Sequence, residues 1–189
     1  MPGQTPSQTV GPFFRDALIR GGENILVNEQ TAGRRILIKG RVLDGAGQPV
    51  PDALVEIWQA DANGFFNHEA DPNQAQADPH FHGFGRSDTV DNGRFTFKTI
   101  KPGIPAYAGT GQAAPFVNVR VFARGMLIHA VTRLYFADES GNEQDAVLYS
   151  IDETRRHTLI AQRAETADLP TYRFDIHLQG ENETVFFNP

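Results

Sequence analysis

Apolar and polar residues alternate most strictly over Phe116–Phe122, where Val117, Val119 and Val121 fall on one side of an extended chain and Phe116, Asn118, Arg120 and Phe122 on the other. β-Branched side chains pack well on a pleated, half-buried surface, so the valine row is the expected core face. The mixed Phe/Asn/Arg row is the face that needs a reason. A strand that ran on without a bulge would add Arg124 to that second face, and the chain then returns from Gly125 through Met126–Phe136 as an antiparallel partner.

The same alternation marks Arg35–Leu43, which the turn-forming run Asp44–Pro49 separates from a second strand at Leu54–Trp58. Asp61–Gly64 and Asp91–Gly93 are further turns, the latter opening a strand over Arg94–Ile100. His157–Ala164 and Tyr172–Leu178 read as strands, Gly180 breaks the chain before Thr184–Phe187, and Asp145–Arg156 is the one helical segment. Eight or nine short strands with so little helix predict an all-β antiparallel sandwich with long irregular loops. Trp58 is expected in its core, with a partner for its indole N–H. Phe65–Gly85 and Ile104–Pro115 are the long loops, and loops of that length tend to be functional. Thr5–Phe14, which contains Pro6, Gly11 and Pro12, predicts an extended arm, docked on something through the adjacent Phe13 and Phe14.

Composition narrows the classes. A chain of 189 residues, 40% hydrophobic and without a charge run or Gly/Ser linker, is expected to form a single domain over 1–189. A net charge of −6 and the lack of a basic cluster argue against nucleic acid or an anionic membrane as partner. With no cysteine there is neither a disulfide framework nor a zinc–thiolate site. No signal-like or membrane-spanning run is present, so a cytoplasmic location is expected.

The chemistry carried by local motifs is incomplete. His80 and His82, two apart, would share one face of a strand, but two imidazoles are not a metal site, and here they lie between Pro79 and Gly83. No serine sits in a nucleophile elbow, and the glycine-rich pieces lack the endings of phosphate or dinucleotide loops.

Six ordered blocks carry more: Thr5–Phe14 (TPSQTVGPFF), Val55–Gly64 (VEIWQADANG), Arg94–Gly103 (RFTFKTIKPG), Val121–Gly125 (VFARG), Thr132–Phe136 (TRLYF) and Tyr172–Phe187 (YRFDIHLQGENETVFF). Through them the chain resembles the intradiol ring-cleaving dioxygenases, and among those the alpha subunits of heteromeric members. The resemblance implies a β-sandwich paired with a homologous beta subunit that holds a non-haem Fe(III), at which O₂ is inserted into a catechol such as 3,4-dihydroxybenzoate. Two tyrosines and a His-x-His pair bind the metal in that family. Anchored on Asp78–Phe81, the loop tyrosine falls on Asn73; the tyrosine after Lys101–Gly103 falls on Pro105, with Tyr107 within reach of a two-residue loop shift; and counted back from Thr132–Phe136 without a gap, the His-x-His pair falls on Phe116 and Asn118, so that the matched positions carry no competent ligand.

The resemblance therefore implies that the ferric ion belongs to the partner and none to this chain. It further implies that residues 1–14 are an arm packing on that partner. Thr9, Gly11, Pro12 and Arg124 would contribute to the substrate pocket at the interface, where a guanidinium suits a carboxylate-bearing substrate. A surface or interface ion pair is the competing reading of Arg124. Two other readings of the whole chain stand beside this one: a β-sandwich scaffold that contributes to no active site, and an independent metalloenzyme built on His80, His82 and His68.

Overall fold

The computed structural model describes residues 3–11, 13–106, 113–164 and 169–188. Alternation becomes strand where it was strictest. β1 (Arg35–Leu43) alternates buried positions with half-buried or exposed ones, and it pairs with β4 (Arg94–Ile100) from Arg35↔Ile100 to Arg41↔Arg94. β2 (Leu54–Gln59) lies between β3 (Phe84–Asp88) and β5 (Phe116–Phe122), and β5 pairs next with β6 (Ala130–Phe136). With β7 (Ile160–Ala164) and β8 (Thr171–Arg173) the sheet runs β3-β2-β5-β6-β7-β8-β1-β4, and β9 (Ile176–His177) also pairs with β1.

The two edges of this sheet are stitched together by the segment before β1. Arg86 N on β3 donates to Glu23 O at 3.0 Å, while Lys98 N on β4 donates to Asn24 O and Leu26 N to Lys98 O, each at 2.9 Å. The edges are thus satisfied rather than exposed, and the sheet nearly closes on itself. Its interior holds the valine row of β5 with Ile36 and Ile38 of β1 and Phe97 of β4, all at 2% exposure or less. A second apolar cluster lies on the opposite face of β5 and β6, where Phe116 and Tyr135 meet Leu148, Leu159 and Val185.

Several boundaries differ from the sequence expectation, each for a local reason. The ladders β6/β7, β1/β8 and β1/β9 run parallel within the otherwise antiparallel sheet. Tyr172–Leu178 is two strands, because the chain crosses over Gly40 on β1, where an added Cβ would stand 1.8 Å from Phe174 O. The expected strand at His157 begins with a 3-10 turn at His157–Leu159. The expected arm ends in a helix, α1 (Phe13–Leu18), since nothing after Pro12 opposes one. Phe84 and Gly85 belong to β3 rather than to the preceding loop.

The helical segment splits into α2 (Ala146–Ser150) and α3 (Glu153–Arg156), each begun by an aspartate. Asp145 accepts from Val147 N and Leu148 N, and Asp152 accepts from Thr154 N. Asp145, 2% exposed, also accepts from Ala114 N at 2.9 Å and from the Tyr135 hydroxyl at 3.1 Å. One buried carboxylate therefore ties α2 to the entry of β5 and to β6.

Candidate functional site

Register decides what stands on the outer face of the sheet. Phe84 pairs with Trp58 and Trp58 with Asn118, while one step along, Arg86 pairs with Glu56 and Glu56 with Arg120. Side chains two apart share a face, so these six form two parallel rows. Phe84, Trp58, Asn118, Glu56 and Arg120 wall a cleft of about 670 Å³ together with Val131 of β6 and His68 from the long loop, and Arg86 backs it through Glu56. Trp58 is half-buried here rather than in the core, stacked on Phe66 at 5.6 Å with the His68 ring edge-on at 6.0 Å. Glu56 accepts from Arg86 Nε at 2.6 Å, and the Arg86 guanidinium lies 4.8 Å from the centre of the Phe84 ring.

The four positions carried over from metal ligands fall in different surroundings. Asn118 lines this cleft. Phe116, 4% exposed, packs beneath the Arg133 guanidinium at 4.1 Å and beside the Tyr135 ring at 5.9 Å. Asn73 sits in a turn whose N–H donates to Asp71 at 2.8 Å, and Pro105 is buried within the second long loop.

The donor set does not fit a ferric ion. Phenylalanine and proline side chains offer no lone pair, two neutral amides are weak ligands, and no cluster of three His, Asp or Glu suited to a metal occurs among the described residues. His80 and His82 are exposed on either side of the buried Phe81. Tyr107 lies outside the described residues.

Both loops that carry these positions are pinned at one turn. Asp61, 2% exposed, accepts from Asn63 N and Asp78 N at 2.8 Å and from Phe65 N at 3.0 Å, which closes the long loop at both ends. Its carbonyl takes Gly103 N at 2.8 Å, and Gly64 O takes Ala106 N at 2.9 Å. Gly64 has φ +89°, and a Cβ there would stand 1.9 Å from Ile104 O, so only glycine lets the two loops approach this closely. Within the loop, burial pushes the Asp78 carboxyl up, but hydrogen bonds from Ala32 N and His80 N outweigh it and hold it below its ordinary value.

The structure also brings the arm and Arg124 together. β5 ends at Phe122, so Arg124 leaves the Asn/Arg row and enters the turn before Gly125, which has φ +84°. Gly125 N donates to Thr9 Oγ1 at 2.7 Å, the Phe14 ring lies 5.5 Å from Phe122, and Gly11 and Arg124 line one cleft with Arg15 and Asp52. Arg124 pairs with Asp52 at 2.9 Å while its side chain stays 77% exposed. Such exposed pairs contribute little, so this guanidinium is not committed. Arg15, by contrast, bonds Asp88 at 2.9 Å, which raises its pKa. Pro12 lies outside the described residues.

Sequence reasoning singled out Asn118 and the arm but missed Trp58, Glu56 and Arg86 as parts of a site. Alternation in Leu54–Gln59 does put residues 56 and 58 on one face, yet which strands flank them is a matter of non-local pairing.

Residues 10–180 match the family model described as Dioxygenase. The chain is 43% identical to the protocatechuate 3,4-dioxygenase alpha chain of Pseudomonas putida, over 98% of this chain and 96% of that one. It is 33% identical to the beta chain of the Burkholderia cepacia enzyme, over 94% of this chain and 77% of that relative. Among solved structures, the dioxygenase domain of a carbohydrate-binding fusion protein from Streptomyces sp. SirexAA-E superposes with a TM-score of 0.66 at 26% identity, covering 94% of this chain and 99% of the other. A family match across most of the chain, full-length relatives of the alpha type and a shared fold lead to one conclusion: the chain belongs to the intradiol dioxygenase family.

Proposed function

We propose that this chain is the alpha, non-iron subunit of a protocatechuate 3,4-dioxygenase, working with a homologous beta chain that holds the Fe(III). The reaction inserts both atoms of O₂ between the two hydroxyl-bearing carbons of 3,4-dihydroxybenzoate, opening the ring to 3-carboxy-cis,cis-muconate. The observation that carries the reading is near-full-length similarity to alpha chains. The part assigned to this chain is positioning at the subunit interface. Thr9 tethers the arm to the Arg124 turn, Gly11 and Pro12 shape the arm that packs on the partner, and the exposed Arg124 guanidinium meets the substrate carboxylate through two parallel hydrogen bonds.

Co-expression with the beta chain tests this directly. The complex is expected to cleave 3,4-dihydroxybenzoate, whereas this chain alone is expected to contain no stoichiometric iron and to turn over nothing. One equivalent of iron, or ring cleavage, in the purified single chain refutes the assignment.

A further inference from the structure

The row Arg86–Glu56–Arg120 holds two guanidiniums and one carboxylate, and the carboxylate is already engaged. Glu56 is bonded to Arg86 at 2.6 Å. Arg120, exposed on the other side of Glu56, has no carboxylate within ion-pair distance of its own among the described residues. The cleft therefore carries one positive charge beyond its internal compensation.

The parallel row is aromatic. Trp58 and Phe84 stand with ring centres 6.5 Å apart, and Phe84 is 41% exposed. His68 adds a defined donor: its Nδ1 accepts from Ala70 N at 3.1 Å, so the neutral ring carries its proton on Nε2. Asn118 contributes an amide with both donor and acceptor character. A cleft of about 670 Å³ falls within the roughly 300–1,000 Å³ typical of small-molecule sites, which pair apolar walls with a few placed polar groups.

We propose that this cleft binds a small aromatic carboxylate, its ring against Trp58 and Phe84 and its carboxylate on the Arg120 guanidinium. Guanidinium and carboxylate match as a planar two-point contact, and a flat ring suits the aromatic wall. His68 Nε2 and Asn118 are left for hydroxyl substituents at the far end of the ring. The proposal concerns this chain's own residues and does not rest on the ring-cleavage assignment.

Trp58 is the only tryptophan in the chain, so its emission reports on this cleft alone. Titration of the full chain with 4-hydroxybenzoate should change that emission saturably. Phenol, which has the ring without the carboxylate, should bind about ten-fold more weakly, as should 4-hydroxybenzoate to Arg120→Ala. Unchanged emission of the ligand-free variant confirms that it folds. No saturable response, equal affinity for phenol, or an Arg120→Ala affinity equal to the parent's overturns the proposal.

Equilibrium dialysis of the two-subunit complex reads the same site as one equivalent of 4-hydroxybenzoate per alpha chain that Arg120→Ala removes. A count left unchanged by the substitution also overturns it. A failed cleft leaves turnover by the complex untouched, and an inactive complex leaves the Trp58 titration untouched, so the two readings fail separately.

Discussion

Replacing Arg124 by alanine in the two-subunit enzyme separates a positioning role from scaffolding, because the structure predicts opposite sizes for two measurable effects. The only ion pair of Arg124 among the described residues is with Asp52 at 2.9 Å, and the two side chains are 77% and 41% exposed. Exposed pairs contribute below about 1 kcal/mol. For a chain of this size the loss should therefore lower the Tm by no more than about 2–4 °C. If the guanidinium meets the substrate carboxylate, a charge-assisted contact of about 1.5–3 kcal/mol disappears, which raises KM for 3,4-dihydroxybenzoate roughly 10- to 100-fold. Catechol, lacking the carboxylate, should show no such change. Steady-state kinetics on both substrates, with thermal unfolding of the same preparations, gives all the numbers needed. An unchanged KM for 3,4-dihydroxybenzoate, or an equal loss for catechol, refutes the carboxylate contact and favours the scaffold reading.

Two further outcomes follow from the interior. Gly64→Ala combines a left-handed backbone at φ +89° with a Cβ 1.9 Å from Ile104 O; it should cost about 2–4 kcal/mol, and a wild-type melting curve would contradict the close approach of the two loops. Lys101 bonds Asp138 at 2.9 Å and Glu139 at 2.6 Å. Burial pushes Asp138 up, but hydrogen bonds from Lys101 and Tyr172 outweigh it, so its folded pKa is lowered. A carboxyl depressed in the folded state gives stability that is present above its unfolded value near 4 and lost as pH falls through the folded value. Lys101→Met should therefore flatten the acid limb of the stability-versus-pH curve below about pH 4, and an acid limb identical to the parent's would show that the pair is not the source.

Two physical ranges divide what could be read from the chain alone. Side-chain alternation and turn residues act within a few positions, so β1 and β4 match their expected limits and β5 its expected extent and core face. That the side chains of Phe116 and Pro105 offer no lone pair was equally legible, because it is a property of residue type. Trp58 was misplaced for the complementary reason. Hydrophobicity says that an indole is buried somewhere, while the face it occupies depends on its register with Asn118 and Phe84.

What the sequence by itself determined is the extent of β1, β4 and β5, the turns between strands and the family blocks, each carried by residue types within short stretches of chain. Only the tertiary structure decided that β1 runs parallel to β8 and β9, that Glu23–Leu26 bridges the sheet edges, and that Thr9 meets the turn at Gly125 across 116 residues. It alone placed Trp58 and Arg120 in one cleft. Those contacts join segments distant along the chain, and local sequence pattern carries no information about which distant backbone will supply a partner.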